Sequence, residues 1–315
     1  MDVFVDHLSY ALGEDQQSVE EAVASGLTVS ELTALKDAGF QKHHMCRAGS
    51  TAYQLAFLAV NAIKDELSDV GAIIYSTCIP LNGNIGDSSK FSSTRDVKHL
   101  MDFPASHLQA DFGLNNSTVF GLNQQACTSM LGSLRMAGML INSEPEIKSV
   151  LCVTADRFPE TAIYEQAYNL ISDGAAACLV STAPQGYRLL AWHGITNGAL
   201  AFASDDETVG SFFNYSFNTI SRALQKANLT ASELSWIVPQ NTNRKAWQIL
   251  SSLLRFDFNR VYLDSLGEVG HVISGDNIIN LKHLEQEKQL TKGERVLLFM
   301  AGYGLNWQCV ILEKA

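Results

Sequence analysis

Short, uninterrupted apolar runs that alternate with helical periodicities constrain this chain more than any other feature of its sequence. The runs are rich in β-branched residues and bounded by polar or turn residues, which is typical of strands buried on both faces. They span 70–75, 150–154, 176–180, 234–238 and 296–300. Between them, apolar residues recur every three or four positions over 50–65, 130–141, 217–227 and 244–254, as in amphipathic helices. The alternation predicts an α/β protein with helices on both faces of a mostly parallel sheet.

A weak internal repeat divides the chain into two parts. A helical segment that leads into an apolar strand and a polar turn occurs before Thr77-Cys78 and again before Gln240-Asn241. The polar stretch 181–186 contains a proline and a glycine and is the predicted boundary between halves 1–182 and 183–315. The acidic stretch 204–208 is expected to be a solvated loop.

Composition and charge exclude several functional classes. The 315 residues are 46% hydrophobic and 17% charged, with only 6 prolines, which fits a compact α/β protein. A net charge of -11 without a basic patch argues against binding to nucleic acid or to an anionic membrane. No apolar stretch approaches the roughly 20 residues that cross a bilayer, and no signal peptide pattern is present, so we expect a cytoplasmic protein.

The cysteine spacing argues against a structural role for disulfides or zinc. The six cysteines form no CxxC motif and no Cys/His pairs at zinc spacing. His43, His44 and Cys46 lie close together in sequence, but no further ligand set accompanies them, so no metal site is predicted. We expect one or two cysteines to be reactive and the others to be small core residues.

Cys127 is the candidate nucleophile. The segment 120–130 runs from an apolar stretch through small residues into a predicted helix, which places Cys127 at or just before a helix N-terminus. The unpaired N–H groups and the positive dipole end at such a position lower a thiol pKa and can hold a developing oxyanion. The alternative is a small buried cysteine without a chemical role.

His271 is the candidate base. A glycine-rich turn carries it towards a predicted helix, and Asp276 follows five residues later. A histidine oriented by a carboxylate can activate a thiol or an acceptor hydroxyl, although this spacing alone does not show that the two side chains meet. A histidine with only a surface or structural role is the alternative.

Several motifs occur in an order that is specific when taken together. They are Ala126-Cys127 opening a helix, Ser-Asp-Gly-Ala-Ala at 172–176, Val-Pro-Gln-Asn-Thr-Asn at 238–243, Gly270-His271, and Gly-Tyr-Gly-Leu-Asn-Trp at 302–307. In this order they resemble those of the ketoacyl-acyl-carrier-protein synthase III-like enzymes of the thiolase superfamily. The resemblance spans nearly the whole chain and is weakest before Cys46, where the family's opening strand is hard to find.

The resemblance implies both a fold and a reaction. The fold is the thiolase fold, in which two related βαβαβαββ halves stack as five αβαβα layers, usually in a homodimer. The reaction uses no permanently bound cofactor; the cysteine accepts an acyl group from a coenzyme A or acyl-carrier-protein thioester and passes it to a second substrate. By position, Cys127 is the nucleophile, and its backbone N–H and that of Tyr303 form the oxyanion hole.

The sequence departs from the condensing members of this family at two positions. Gln240 stands where they have a histidine, and His271 stands where they have an asparagine. An amide cannot act as a proton-transfer base, so decarboxylative condensation is disfavoured. The set Cys127, His271 and Asp276 resembles that of members that acylate oxygen or nitrogen acceptors in specialised metabolism. Gln240 and Asn241 would then orient the substrate.

Three functional hypotheses remain open. The leading one is an acyltransferase for a small-molecule hydroxyl or amine acceptor, in polyketide- or fatty-acid-related metabolism. An acyl carrier protein is a further candidate partner, for which Arg244 and Lys245 offer a local basic pair. The alternatives are a carbon–carbon bond-forming enzyme of the same fold and a non-catalytic partner subunit. Tyr303 and Trp307 are expected to be packing residues.

Overall fold

The computed structural model describes residues 1–80, 88–201, 203–303 and 305–315. The strands are β1 (Phe4–Leu12), β2 (Asp15–Ser18), β3 (Lys42–Met45), β4 (Val70–Ser76), β5 (Thr118–Leu122), β6 (Ser149–Asp156), β7 (Glu165–Gln166), β8 (Asn169–Leu170), β9 (Gly174–Ser181), β10 (Tyr187–Thr196), β11 (Trp236–Val238), β12 (Arg295–Gly302) and β13 (Asn306–Lys314). The α-helices are α1 (Val19–Ala24), α2 (Leu32–Ala38), α3 (Ala52–Asn61), α4 (Ser88–Thr94), α5 (Pro104–Asp111), α6 (Ser129–Ser143), α7 (Asp205–Ala227), α8 (Arg244–Leu254), α9 (Leu266–Val269) and α10 (Asp276–Lys288).

A nine-stranded sheet joins the two parts of the chain in the order β11-β12-β13-β10-β1-β9-β6-β4-β5. Only three neighbouring pairs are parallel: β4 with β5, β4 with β6, and β11 with β12. The expectation of a mostly parallel sheet was therefore wrong. The reason is that β9 and β13 each run back along the preceding strand of their half, and both also lie antiparallel to the first strand of that half.

The two parts of the sheet repeat the same strand order. The first contains β1, α3, β4, α5, β5, α6, β6 and β9, which is a βαβαβαββ unit. The second contains β10, α7, β11, α8, α10, β12 and β13, and its third strand is reduced to a parallel bridge between Ile237 and Val261. When the strands of each part are numbered in chain order, both parts of the sheet have the order third, second, fourth, fifth, first. They meet at β1 and β10, which pair through only two residue pairs.

Three hydrophobic clusters separate the layers of this fold. The central cluster packs α6 and α10 between the two parts of the sheet, with Met130, Leu134, Ile278 and Leu281 among its fully buried or nearly fully buried side chains. A second cluster covers the outer face of the first part with α3 and α5, and a third covers the second part with α7 and α8. Burial of this apolar surface is the main force that holds the five layers together.

The ends of several elements differ from the sequence expectations. The acidic stretch 204–208 is not a loop: Ser204 caps α7, and its side chain and that of Glu207 form a capping box that starts the helix at Asp205. The opening strand that was hard to find is β1. The polar stretch 181–186 connects β9 with β10, and the domain limits 1–182 and 183–315 stay a prediction. In the part of the chain that the structure describes, no helix has the length and hydrophobicity of a membrane span.

Candidate active site

Cys127 lies in a tight turn between β5 and α6. Residues Ala126–Thr128 form a single 3-10 turn, and Ala126 has a φ of 45°, in the left-handed region that non-glycine residues rarely occupy. The hydroxyl of Thr128 donates to the carbonyl oxygen of Gln125 at 2.7 Å, and that of Ser129 donates to the carbonyl oxygen of Ala126 at 2.6 Å. These bonds hold the turn and leave Cys127 half-buried just before the N-terminus of α6.

His271 lies beside the corresponding turn of the second half. The 3-10 turn Ile273–Gly275 precedes α10, and Ile273 has a φ of 46°, which matches the conformation of Ala126. The side chain of Ile273 packs in one apolar cluster with Cys127. Because α6 and α10 are equivalent central helices, the internal repeat brings their N-terminal turns together. This is why residues so distant in sequence share one site.

Asp276 holds His271 in a defined orientation. Nδ1 of His271 lies 2.6 Å from Oδ2 of Asp276, and both side chains are almost fully buried. A carboxylate only accepts hydrogen bonds, so Nδ1 is assigned as the donor and Nε2 is left as the basic nitrogen. Asp276 also accepts the N–H groups of Asn241 and Val272, each at 2.6 Å. The contact that the sequence spacing left open is therefore present.

Gln240 and Asn241 have different surroundings. Oε1 of Gln240 accepts the N–H of Ala301 at 2.5 Å, so Nε2 is the donor that this side chain can offer to a ligand, and Gln240 lines the cavity described below. Nδ2 of Asn241 donates to the carbonyl oxygen of Gly270 at 2.7 Å, and its Oδ1 accepts from Asn280 at 2.9 Å. Asn241 is not among the residues that line the cavity, and its role in orienting the substrate stays a prediction. Its amide is committed to holding the Gly270-His271 turn.

A cavity of about 560 Å³ connects these groups with the surface. Cys127 and His271 both line it, and its remaining walls are largely apolar and aromatic. The aromatic lining residues include Phe158, Tyr168, Phe212, Phe213, Tyr303 and Trp307. Trp307 also stacks on Tyr215, so this residue both packs the core and lines the cavity. No carboxylate lines the cavity among the described residues, whereas Lys245 does.

The end of β12 lies directly against the backbone of Cys127. A Cβ atom built on Gly302 would be 2.8 Å from the nitrogen of Cys127, closer than carbon and nitrogen atoms normally approach. Glycine is required at this position because of that close approach. Tyr303 follows and lines the cavity, while Gly304 lies outside the described residues. The oxyanion hole formed by the N–H groups of Cys127 and Tyr303 stays a prediction.

The surroundings of Cys127 raise the pKa of its thiol well above the usual value, contrary to the expectation from a helix N-terminus. The largest cause is a hydrogen bond with the thiol of Cys78, followed by burial and the negative charges of Asp156 and Asp276. Burial raises the pKa of Asp156 to about 6, against the hydrogen bonds that it accepts. In the resting site Cys127 is a neutral thiol that needs a base.

Three residues near Cys127 are not marked as site residues by the sequence: Cys78, Gln125 and Gln308. Cys78 follows β4 and lines the cavity next to Cys127. Nε2 of Gln308 donates to Oε1 of Gln125 at 2.7 Å and to the hydroxyl of Thr128 at 3.0 Å. The only sequence signal for Cys78 is that it follows a predicted strand. No local pattern marks the two glutamines.

His43, His44 and Cys46 each contact other groups of the chain. Nδ1 of His43 lies 2.9 Å from the carbonyl oxygen of Ile171, and His44 contacts the carbonyl oxygen of Glu268. The N–H of Cys46 donates to Asp173. Within 1–80, 88–201, 203–303 and 305–315, no three histidine, cysteine or acidic residues are grouped as a metal site requires.

Comparison with known families agrees with this architecture. The family model described as 3-Oxoacyl-[acyl-carrier-protein (ACP)] synthase III matches residues 122–198, and the model of the C-terminal part of the same enzyme matches residues 224–314. The β-ketoacyl-[acyl-carrier-protein] synthase III of Clostridioides difficile is 23% identical over 312 residues, covering 90% of this chain and 89% of that protein. The Chlorobium chlorochromatii synthase is 24% identical, with 91% and 89% covered.

Solved structures show the same fold at low sequence identity. The synthase III of Thermus thermophilus superposes with a TM-score of 0.83 at 19% identity and covers 99% of each chain. A protein described as "ChlB3 [Aceyltransferase]" superposes with a TM-score of 0.82 at 18% identity, covering 100% of this chain and 98% of its own. OleA of Xanthomonas campestris, with cerulenin bound, has a TM-score of 0.79 at 16% identity, with 99% and 97% covered.

The expected thiolase fold is confirmed by these superpositions and by the repeated strand order. The two matched family segments contain Cys127, His271 and Asp276, and together they cover more than half of the chain. The chain is therefore a ketoacyl-acyl-carrier-protein synthase III-like enzyme and belongs to the thiolase superfamily.

Proposed function

We propose that this enzyme transfers an acyl group from a coenzyme A or acyl-carrier-protein thioester, through acyl-Cys127, to a hydroxyl or amine acceptor. The observation that carries the proposal is the Asp276-oriented imidazole of His271 in the cavity that Cys127 lines. An imidazole with a free basic nitrogen is suited to remove a proton from an acceptor. Gln240 stands at the position of the condensing enzymes' histidine and cannot perform proton transfer.

In the first half-reaction, Nε2 of His271 takes the proton of the Cys127 thiol, and the thiolate attacks the thioester carbonyl. The backbone N–H groups of Cys127 and Tyr303 bind the oxyanion of the tetrahedral intermediate. The donor thiol leaves with the proton from His271, and acyl-Cys127 remains. Asp276 stabilises the transient imidazolium and keeps its tautomer.

In the second half-reaction, His271 takes the proton of the acceptor hydroxyl or amine as that group attacks acyl-Cys127. Collapse of the intermediate releases an ester or amide, and the proton returns to the Cys127 sulfur. The donor Nε2 of Gln240 binds a polar group of the substrate. The apolar and aromatic walls bind the acyl chain and the non-reacting part of the acceptor.

The donor enters from the side of Lys245. This lysine lines the cavity near the start of α8, where its Nζ pairs with Asp37 at 3.1 Å on the surface. An ammonium group there can bind the phosphate of coenzyme A or of a carrier protein's phosphopantetheine arm. Arg244 packs over the ring of Phe258 beside it. The carrier protein and a second copy of this chain, in a homodimer, are the partners of this proposal, and its setting is polyketide- or fatty-acid-related metabolism.

A carbon–carbon bond-forming reaction is the second candidate, because synthase III relatives cover nearly the whole chain. Both reactions pass through acyl-Cys127 and differ in the second substrate. A third possibility, a non-catalytic partner subunit, predicts that no thioester acylates the protein. One series of experiments separates the three.

The test is intact-protein mass spectrometry after incubation with a panel of acyl-coenzyme A and acyl-carrier-protein thioesters. We expect a mass gain in the wild type that is absent in Cys127→Ala. The acylated protein is then offered hydroxyl and amine acceptors, or malonyl thioester. An ester or amide product without carbon dioxide release supports the proposal, and carbon dioxide release with a β-ketoacyl product supports the condensing enzyme. Absence of any adduct contradicts both the acyl-transfer hypothesis and the condensation hypothesis.

A further inference from the structure

A second cysteine accompanies Cys127 inside the cavity. Cys78 and Cys127 both line its wall, both are half-buried, and they belong to one apolar cluster with Ile79, Phe158 and Ile273. The Cys78 side chain also contributes to the raised pKa of the Cys127 thiol. Neither the proposed acyl transfer nor its competing condensation uses the thiol of Cys78.

The backbone fixes the two cysteines close to each other. Cys78 follows β4 and Cys127 follows β5, and these strands are parallel neighbours that pair up to Ser76 and Leu122. The ladder continues one step further, because the N–H of Thr77 donates to the carbonyl oxygen of Leu122 at 3.2 Å. Both cysteines therefore leave the same edge of the sheet.

Asp156 holds the segment that carries Cys78. Its Oδ1 accepts the hydroxyl of Thr77 at 2.6 Å, the N–H of Cys78 at 2.8 Å and the N–H of Ile79 at 3.0 Å. Three hydrogen bonds to one buried oxygen leave this segment little freedom. The Cys78 thiol is thus held beside the Cys127 thiol rather than meeting it by chance.

We propose that Cys78 and Cys127 form a reversible oxidation site, in which a peroxide joins the two thiols as a disulfide and blocks the Cys127 sulfur. Nε2 of His271 takes the proton of the Cys127 thiol, and the thiolate attacks one peroxide oxygen. The O–O bond breaks, the leaving hydroxide takes the proton back from His271 as water, and a sulfenic acid remains on Cys127. The Cys78 thiol then attacks the sulfenic sulfur, the S–O bond breaks, and a second water leaves. Two electrons pass from sulfur to oxygen, and a dithiol reductant reverses the change.

The chain contains a matched pair that lacks access to oxidants. Cys152 on β6 is the register partner of Cys178 on the neighbouring strand β9, and Cys152 contributes to the raised pKa of the Cys178 thiol. Both are fully buried in the central cluster, whereas Cys78 and Cys127 line an open cavity. If proximity of two thiols were sufficient for disulfide formation, both pairs would oxidise. If access of the oxidant is also required, only Cys78 and Cys127 oxidise.

The test treats the full-length protein, wild type and variants alike, with a molar excess of hydrogen peroxide, because the sulfinic acid consumes two peroxide molecules per cysteine. The remaining thiols are then blocked with a maleimide. Peptide mapping then identifies any linked cysteines. We expect a linked Cys78–Cys127 peptide, loss of maleimide labelling at Cys127, and full recovery of that labelling after dithiothreitol. Cys152→Ala should behave like the wild type, because its cysteine belongs to the buried pair.

Cys78→Ser keeps the size and hydrogen-bonding capacity of the side chain but cannot form a disulfide. In this variant we expect Cys127 to advance to the sulfinic acid, which dithiothreitol does not reduce, so that most Cys127 labelling is not recovered. The proposal is overturned if no Cys78–Cys127 peptide forms, or if Cys78→Ser recovers Cys127 labelling as fully as the wild type. These readouts require no acyl donor, so failure of the proposed acyl transfer would leave them unaffected.

Discussion

Nδ1 of His271 lies 2.6 Å from Oδ2 of Asp276, and the same carboxylate also accepts the backbone N–H groups of Asn241 and Val272. Asp276 therefore links the imidazole to two backbone segments. One of these follows β11, and the other leads into α10. The orientation of the candidate base thus depends on the tertiary contact between these segments.

The Asp276→Asn substitution should impair turnover more than folding. It preserves the size of the side chain but removes the charge that stabilises the imidazolium and permits the wrong tautomer of His271. We expect acyl transfer to fall by about 10³-fold or more, by analogy with triads in general. His271→Ala should retain some self-acylation and lose turnover. The measurement is single-turnover acylation of Cys127 together with steady-state product formation.

Glu165→Gln is the matched control for Asp276→Asn. Glu165 is another buried carboxylate that accepts two backbone N–H groups, those of Val29 and Ser30, and it makes no contact with His271 in the described structure. This variant should show a loss of stability without the loss of turnover per folded molecule. Full turnover in Asp276→Asn or His271→Ala would exclude His271 as the base.

Gln308→Leu should slow the acylation of Cys127 although Gln308 does not line the cavity. Its Nε2 joins Gln125 and Thr128, which flank the strained turn at Ala126, while its Oε1 accepts the indole N–H of Trp192 at 3.1 Å. Loss of this clamp should allow the turn to relax. We expect the rate of Cys127 alkylation to change, and the acylation rate to fall about 10-fold, on the order of one lost buried hydrogen bond.

The control for Gln308→Leu is Gln109→Leu, which removes one side-chain hydrogen bond to the carbonyl oxygen of Ser117, away from the cavity. Both variants should lose stability, and Gln308→Leu should lose more, because Gln308 makes three side-chain hydrogen bonds and Gln109 one. If the rates of Cys127 alkylation and acylation are unchanged in Gln308→Leu, the glutamine has only a structural role.

Gly302→Ala should disable the site by crowding the backbone of Cys127. The added methyl group would lie 2.8 Å from the Cys127 nitrogen, so either β12 or the turn Ala126–Thr128 must shift. We expect self-acylation to fall at least about 10²-fold, as for the loss of one oxyanion-hole donor. Gly210→Ala, where an added Cβ meets nothing within 4 Å, should retain normal acylation. Equal rates in the two variants would contradict the predicted role of this backbone.

The stability of the protein should depend on the ionisation of Asp156. Burial raises its pKa from 3.8 to about 6, so the folded state binds a proton more tightly than the unfolded state. Protonation of Asp156 therefore contributes stability that is fully present below about pH 4 and is lost as the pH rises through about 6. A shift of about two pKa units corresponds to about 3 kcal/mol in the free energy of unfolding.

Asp156→Asn keeps the acceptor oxygen for Cys78 and Ile79 but cannot ionise. Denaturant unfolding of both proteins between pH 4 and pH 8 should show the variant gaining stability relative to the wild type as the pH rises through this window. An unchanged difference across the range would show that Asp156 retains an ordinary pKa in the folded protein.

Much of the secondary structure followed from local sequence pattern. The helix predicted at 244–254 is α8 with the same limits, and the apolar runs at 70–75 and 150–154 lie within β4 and β6. Local periodicity suffices for such segments because it reports which side of an element is buried. It failed for β1, where His7 has a φ of 48° and the register with β9 shifts between Asp6 and Ser9, so the alternation is interrupted.

The sequence by itself determined the residue types of the site and the family. It predicted Cys127, His271 and Asp276 as site residues, because motif order and turn chemistry are local properties. Only the tertiary structure decided that His271 meets Asp276, that Asn241 is committed to the Gly270 carbonyl, and that Cys78 shares a cavity wall with Cys127. These contacts join different elements, and strand pairing and burial between layers set the distances across them. No periodicity within one segment contains that information.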